Sequence, residues 1–213
     1  MNTPTHTLVG LATLGARGTG RRNAAAALGA VIPDVPIFVL FVVARFVLGQ
    51  PSTQIWTRTY FEPGWQLAVD LAHSVPLAAV GAALARWRGS SAGTALFLSM
   101  LLHSALDLPV HTDDAHRHFL PLSDWQFHSP VSYWDPRSYG RQVAAVEIAA
   151  GLALAVRSYR LLTSRAARAA VLATGVVYLA GGVVLLRPCL AMPWLASLTT
   201  DDARCAPSGA APP

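Results

Sequence analysis

The sequence predicts an all-α fold, a polytopic integral membrane bundle of about five spans with a short N-terminal helix that enters the bilayer without crossing it. Three observations predict it. Hydrophobic residues make up 53% of the chain and charged residues only 13%, with a mean hydropathy of +0.42, far from a soluble composition. The apolar residues gather into stretches of bilayer length. The basic residues, all arginine, sit in the turns between those stretches, so the net charge of +5 forms no run suited to nucleic acid.

Taken in order, the apolar segment 7–15 covers about 14 Å at ~1.5 Å per residue, roughly half the hydrocarbon thickness, so it enters and stops. It lacks the basic flank of a secretory signal and is expected to be retained. Bilayer-length stretches follow at 24–48, 66–85 and 91–108, then from 143 into the turn 157–168, and at 169–186. Arg17, Arg21 and Arg22 precede the first span, Arg86 and Arg88 follow the second, and Arg157, Arg160, Arg165 and Arg168 separate the last two. The positive-inside rule puts these turns in the cytoplasm and the loops 50–64 and 109–142, with the C-terminus, on the periplasmic or extracellular side.

Trp56, Tyr60, Phe61 and Trp65 suit an interfacial aromatic belt, and Gly175, Gly181 and Gly182 suit close helix packing in the last span. The membrane domain is expected to occupy residues 1–190. The tail 191–213, rich in Ala, Pro and Ser, reads as disordered. Cys189 and Cys205 have no CxxC spacing and no nearby histidine, which leaves a disulfide or two idle thiols.

Asp34, Asp70, His73, His103 and Asp107 lie within or at the ends of apolar spans, where a charge costs at least ~2.5 kcal/mol and therefore needs a partner. Counting depth along each helix places His6 and Asp34 at about 15 Å from the inner face, His103 at about 18 Å, His73 at about 20 Å and Asp107 at about 24 Å. Five side chains from four segments thus share one layer in the outer half of the bilayer. His103 and Asp107, four residues apart, face the same way and bring imidazole and carboxylate together. That ligand mix suits zinc, iron or manganese, and a hydrogen-bonded pair fits the spacing equally.

Pro33 and Pro36 predict a break in the first span, with Asp34 either a ligand or the N-cap of the helix starting at Val35. Asp70, three residues before His73, is placed to orient that imidazole.

Loop 109–142 has no apolar periodicity and suggests a functional cover. His111, Asp113, Asp114, His116 and His118 crowd eight positions, a set suited to a second metal, to acid/base chemistry, or to a solvated turn. Arg117 suits an anionic substrate or a pairing with Asp113 or Asp114. Trp125, Phe127, Tyr133, Trp134 and Tyr139 suit either a pocket for an amphiphile or packing of the loop on itself. No GxSxG elbow, P-loop, Gly-rich dinucleotide turn or Ser/Lys dyad is present.

Together, His6, Ile32-Pro33-Asp34, Ala72-His73-Ser74, and the run from Leu102 through His103 to Asp107 with Pro121-Leu122 beyond it resemble the bacterial inner-membrane metal-dependent hydrolases, the YdjM-like family. The resemblance covers the stretch from Thr5 to Leu122 and implies a metal-bound hydrolytic site with distant kinship to zinc phospholipases C. Two departures stand out: Pro36 replaces the second acid of the family's Pro-Asp-x-Asp break, and the arginine often found before its His-Ser pair is missing. The loop from Asp113 to Tyr139 resembles a subgroup sometimes labelled cobalamin biosynthesis. Cys189 in RPCLAMPW cannot supply the cysteine elbow that pathway's soluble amidotransferase requires.

The resulting expectation is a membrane-embedded hydrolase of a lipid-like or phosphorylated amphiphile in a bacterial inner membrane. His6, Asp34, His103 and Asp107 would hold a divalent metal, zinc first with manganese or iron as alternatives, and Asp70 and His73 would support it. His111, Asp114 and His118 would carry protons, and Arg117 and Trp125 would bind substrate. Two other classes fit the same residues: a metal-handling or transport protein without hydrolysis, and a structural protein whose polar residues pin helices together.

Overall fold

The computed structural model describes residues 1–186, all of them helix, turn or loop with no strand. Cys189, Cys205 and the tail 191–213 lie outside the described residues. Nine α-helices are described: α1 (Thr3–Leu14), α2 (Gly20–Val31), α3 (Val35–Val42), α4 (Ser52–Thr57), α5 (Pro63–Ala72), α6 (Val75–Trp87), α7 (Ser91–Asp107), α8 (Gly140–Leu161) and α9 (Arg165–Leu186).

Four segments are long and apolar enough to cross a membrane: Gly20–Val47, Pro63–Trp87, Ser91–Val110 and Arg165–Leu185. The chain is therefore a helical membrane bundle. Helix α8 matches them in length with 22 residues, but Arg141, Glu147, Arg157 and Arg160 keep it from that degree of apolarity. It packs on both α1 and α9.

The first span breaks where its prolines require. A 3-10 turn at Ile32–Asp34 joins α2 to α3, because Pro33 offers no N–H to the preceding turn and its ring crowds the helix. The second span, expected over 66–85, is also interrupted: α5 ends at Ala72 and α6 starts at Val75. The cause lies in Ser74-Val75-Pro76. Ser74 caps α6 by accepting from the Leu77 N–H at 3.2 Å, and Pro76 cannot donate into a continuing helix.

A break inside an apolar bundle leaves backbone groups that must find partners. Here the loop after α7 supplies them. The Val75 N–H donates to the His118 carbonyl at 2.8 Å, and the Ser74 hydroxyl donates to the Leu120 carbonyl. Ser104 on α7 donates to the His73 carbonyl at 2.8 Å. The first part of the loop is thereby sewn into the middle of the second span.

Helices α1, α2 and α7 approach closely through small residues. A Cβ at Gly29 would lie 2.0 Å from the Leu96 carbonyl oxygen of α7, and one at Gly10 would lie 3.0 Å from the Ala26 carbonyl oxygen of α2. The glycines expected to do this are different ones: among the described residues a Cβ at Gly175 meets nothing within 4 Å, and those at Gly181 and Gly182 meet Ile148 at 3.8 and 3.5 Å. The α8–α9 contact instead uses Gly151, whose missing side chain admits the ring of Tyr178. Tyr60, expected in an interfacial belt, is buried with Leu40, Ala44, Ile55 and Val69 because α4 folds back against α3 and α5.

Candidate metal centre

Each break delivers polar groups to the same point on α7. Its His103 and Asp107, one turn apart, face α1, the 3-10 turn at Asp34 and the gap after α5. His103 Nδ1 donates to the Ala30 carbonyl at 2.7 Å. In a continuous helix that carbonyl would be served by the N–H of residue 34, so the proline break leaves it to the imidazole. His73 Nδ1 donates to the Val69 carbonyl at 2.8 Å. Asp70, expected to orient His73, takes no part in this.

With Nδ1 committed as donor, a neutral imidazole presents a bare lone pair at Nε2. Neither Nε2 makes a hydrogen bond among the described residues, though both atoms are fully buried. What they face is acidic. His103 Nε2 lies 2.9 Å from Asp107 Oδ2 and 3.5 Å from Asp34 Oδ1, and His73 Nε2 lies 3.7 and 3.9 Å from the same two oxygens. Lone pairs aimed at carboxylate oxygens repel unless a proton or a cation lies between them.

On its other side, Asp107 Oδ1 sits 2.9 Å from His6 Nε2 and 3.4 Å from His111 Nε2 and accepts from the Met1 amino group at 2.7 Å. Asp34 Oδ2 accepts from Thr3. Its side chain makes no capping bond to α3, so the N-cap reading is not realised. Three overlapping sets, His6/His103/Asp107, Asp34/His73/His103 and His73/Asp107/His116, each present ligand atoms within 4.8 Å of one another. Such groups could hold a metal ion. The donor set, neutral imidazoles with carboxylates, fits a divalent cation.

The loop adds three more imidazoles. His116 stacks on His73 with ring centroids 4.1 Å apart, and His118 lies beside both. Burial above all, then repulsion from His73, pushes His118 down to about 4 and His116 well below the ordinary histidine value, so both are neutral at pH 7. His111 behaves oppositely. Burial opposes its charge, but the carboxylates of Asp107 and Asp114 prevail and hold it up at about 9. Asp114 Oδ2 is 3.1 Å from His111 Nδ1 and also accepts from Trp134 Nε1 at 3.1 Å.

Arg117 pairs with an acid outside the three ligand sets, one that lies 3.9 Å from His116 Nδ1. Its backbone N–H and Nε donate to the two oxygens of buried Asp70 at 3.0 and 2.6 Å, which pins the loop to α5. Trp125 packs between Phe119 and Phe127. Asp113, expected in the same cluster, makes no ion pair with these imidazoles among the described residues.

One residue escaped the sequence reading. Glu147 in α8 is only 4% exposed, and its Oε1 accepts from the Asn2 N–H at 2.8 Å and the Thr5 hydroxyl at 2.6 Å. Thr5 is shared with the Tyr178 hydroxyl of α9. A carboxylate at the start of α1 meets its free N–H groups and fixes the helix that carries His6. An acid in the middle of a long apolar stretch was the available signal.

The chain matches no known protein family, no curated protein and no solved structure.

Proposed function

We propose that this chain is a membrane-embedded, metal-dependent hydrolase acting on a lipid-like or phosphorylated amphiphile. The observation that carries this reading is the pair of buried, unpartnered Nε2 atoms of His73 and His103, fixed in one tautomer by backbone carbonyls and aimed at Asp34 and Asp107. Backbone partners of this kind orient histidines that ligate metals. His6, Asp34, His73, His103 and Asp107 would hold the ion, and zinc is the first candidate for such a set. Held by these residues, a divalent ion would supply a water of pKa about 7 as nucleophile and would polarise the bond to be cut.

The remaining chemistry belongs to side chains. His111 stands between Asp107 and Asp114 and moves a proton at Nε2, with Asp114 holding the ring at Nδ1. His116 and His118, buried and neutral, keep water and counter-charge away from His73. The arginine turns favour a cytoplasmic side opposite loop 109–142, and with it a reaction in the outer half of a bacterial inner membrane, under a periplasmic loop.

The test is metal analysis of the purified full-length chain beside His103→Ala, with release of inorganic phosphate from dodecyl phosphate measured on both. Stoichiometric metal and phosphate release in the first, with loss of both in the second, is expected. Wild-type protein without metal sinks the reading. Metal without hydrolysis of any phosphorylated amphiphile would mark a metal-handling protein instead.

A further inference from the structure

A cavity of about 510 Å³ opens between α3, α4 and the loop after α7, within the range of small-molecule sites, about 300–1,000 Å³. Its polar end is lined by Asp34, Asp107 and His111 and its apolar end by Phe38, Trp56 and Phe61, and Asp114 also lines it, accepting from the Trp134 Nε1 at 3.1 Å. The two ends differ in kind. Among the described residues no arginine lines the cavity, and its three carboxylates meet His111 and the Met1 amino group as the basic groups of the lining.

The mouth faces sideways. Phe38 is 48% exposed on a segment apolar enough to span a membrane, and Val35, Val39 and Val42 on the same helix are exposed beside it. On a spanning segment an exposed apolar flank meets hydrocarbon, because only lipid lies at that depth. Trp56 and Phe61 on the following turn, and Trp134 from the loop, carry the same half-exposed aromatic wall onward. Tyr60 lines the cavity beside Trp56 and Phe61, and Tyr133 beside the His111 ring, with centroids 5.0 Å apart. Burial, then the charge of Asp114, raises the Tyr133 phenol above its ordinary value, so it remains a hydrogen-bond donor.

We infer that this cavity is a lateral port for a single-chain amphiphile with an oxyanion head, its alkyl chain against Phe38, Trp56 and Phe61 and its head at Asp34 and Asp107. The inference rests on the metal reading above in one respect. Three carboxylates outnumber the His111 imidazolium and the Met1 amino group and repel an oxyanion, which is admitted only once a cation is bound among them; a cationic head would enter best with the cation removed. Trp56 and Trp134 stand in the wall and report occupancy directly.

The experiment titrates a decylphosphonate brominated near its chain end, which is not hydrolysed, into zinc-loaded full-length protein in detergent micelles while tryptophan fluorescence is followed. Saturable quenching is expected, reduced at least threefold in the Trp56→Phe/Trp134→Phe variant. It should be unchanged in Trp87→Phe, whose ring is 80% exposed at the end of α6 and lies outside the cavity wall. Chelation should abolish the saturable part.

Quenching that rises linearly, or that is equal in the double variant, overturns the port. A brominated decyltrimethylammonium salt that binds better after chelation overturns the oxyanion head. Because the probe is inert, saturable metal-dependent binding alongside a failure to release phosphate from dodecyl phosphate leaves the port standing and removes only the hydrolase reading. If the Phe variants do not fold, Phe38→Ala, read by the same two tryptophans, should weaken the saturable phase at least threefold, and an unchanged phase overturns the port.

Discussion

The Nδ1–H of His103 donates to the carbonyl of Ala30 at 2.7 Å, so a helix break caused by Pro33 decides which nitrogen of an imidazole on another helix is left bare. The same logic repeats at His73 with the Val69 carbonyl. Backbone geometry thus sets the tautomer of two side chains whose other nitrogens meet at two carboxylates.

Asp107 is the residue on which the cluster turns, with one oxygen toward His6 and His111 and the other toward His73 and His103. Asp107→Asn keeps the shape and removes the charge. It should lower metal affinity about 100-fold or more, at the upper end of what loss of a supporting ligand partner costs, and more than Asp34→Asn does. Competition with a chelator of known affinity measures both; equal losses would contradict the central place of Asp107.

Glu147 acts through α1 rather than at the centre. Glu147→Ala leaves the Asn2 N–H and the Thr5 hydroxyl without their acceptor and should cost about 1–3 kcal/mol, read as a lower midpoint of thermal unfolding in detergent. Because α1 carries His6, metal affinity should fall about tenfold as well. Glu147→Gln, which retains an acceptor oxygen, should restore most of both. A variant that loses stability but holds metal as the wild type does would separate Glu147 from the positioning of His6.

Arg117 and Asp70 form an ion pair whose acid is buried. Arg117→Ala strands that carboxylate and should destabilise the chain by about 3 kcal/mol, with faster proteolysis in the loop 111–122. The Arg117→Met/Asp70→Leu double variant should recover most of the loss. Had Arg117 served only to bind substrate, Arg117→Ala would leave the unfolding midpoint in place and raise KM alone.

With metal chelated, stability should peak near pH 6.5. His111 stands at about 9 against an ordinary 6.5, so its contribution is present in full below 6.5 and fades as pH rises through 9. His118 stands at about 4, so the folded chain favours its neutral form and loses stability as pH falls from 6.5 toward 4. Unfolding midpoints across pH 4–10 measure this. His111→Gln should flatten the alkaline limb alone and His118→Gln the acid limb alone.

Which features were readable beforehand follows from their range along the chain. The span at 91–108, the break at Pro33 and the shared face of His103 and Asp107 depend on neighbours within a turn or two, and all three are in the structure. The second break was readable too, from Ser74-Val75-Pro76, but high apolarity on both sides masked it. The small-residue contacts were placed in the wrong helix, because glycine spacing looks alike in a packed and an unpacked span; Gly29 is pressed on Leu96 while Gly175 is open.

Arg117 shows the limit most plainly. Its sequence neighbours offered Asp113 and Asp114, yet its partner is Asp70, 47 residues away. By itself, then, the sequence determined that the chain is a helical membrane bundle and that acids and imidazoles lie inside it, since hydropathy and residue identity are properties of the chain at each position. Helix rotation and order were decided only by tertiary packing. Those set which nitrogen of His73 and His103 is bare and that Glu147 meets α1, because a depth counted at ~1.5 Å per residue carries no information about the direction a side chain faces.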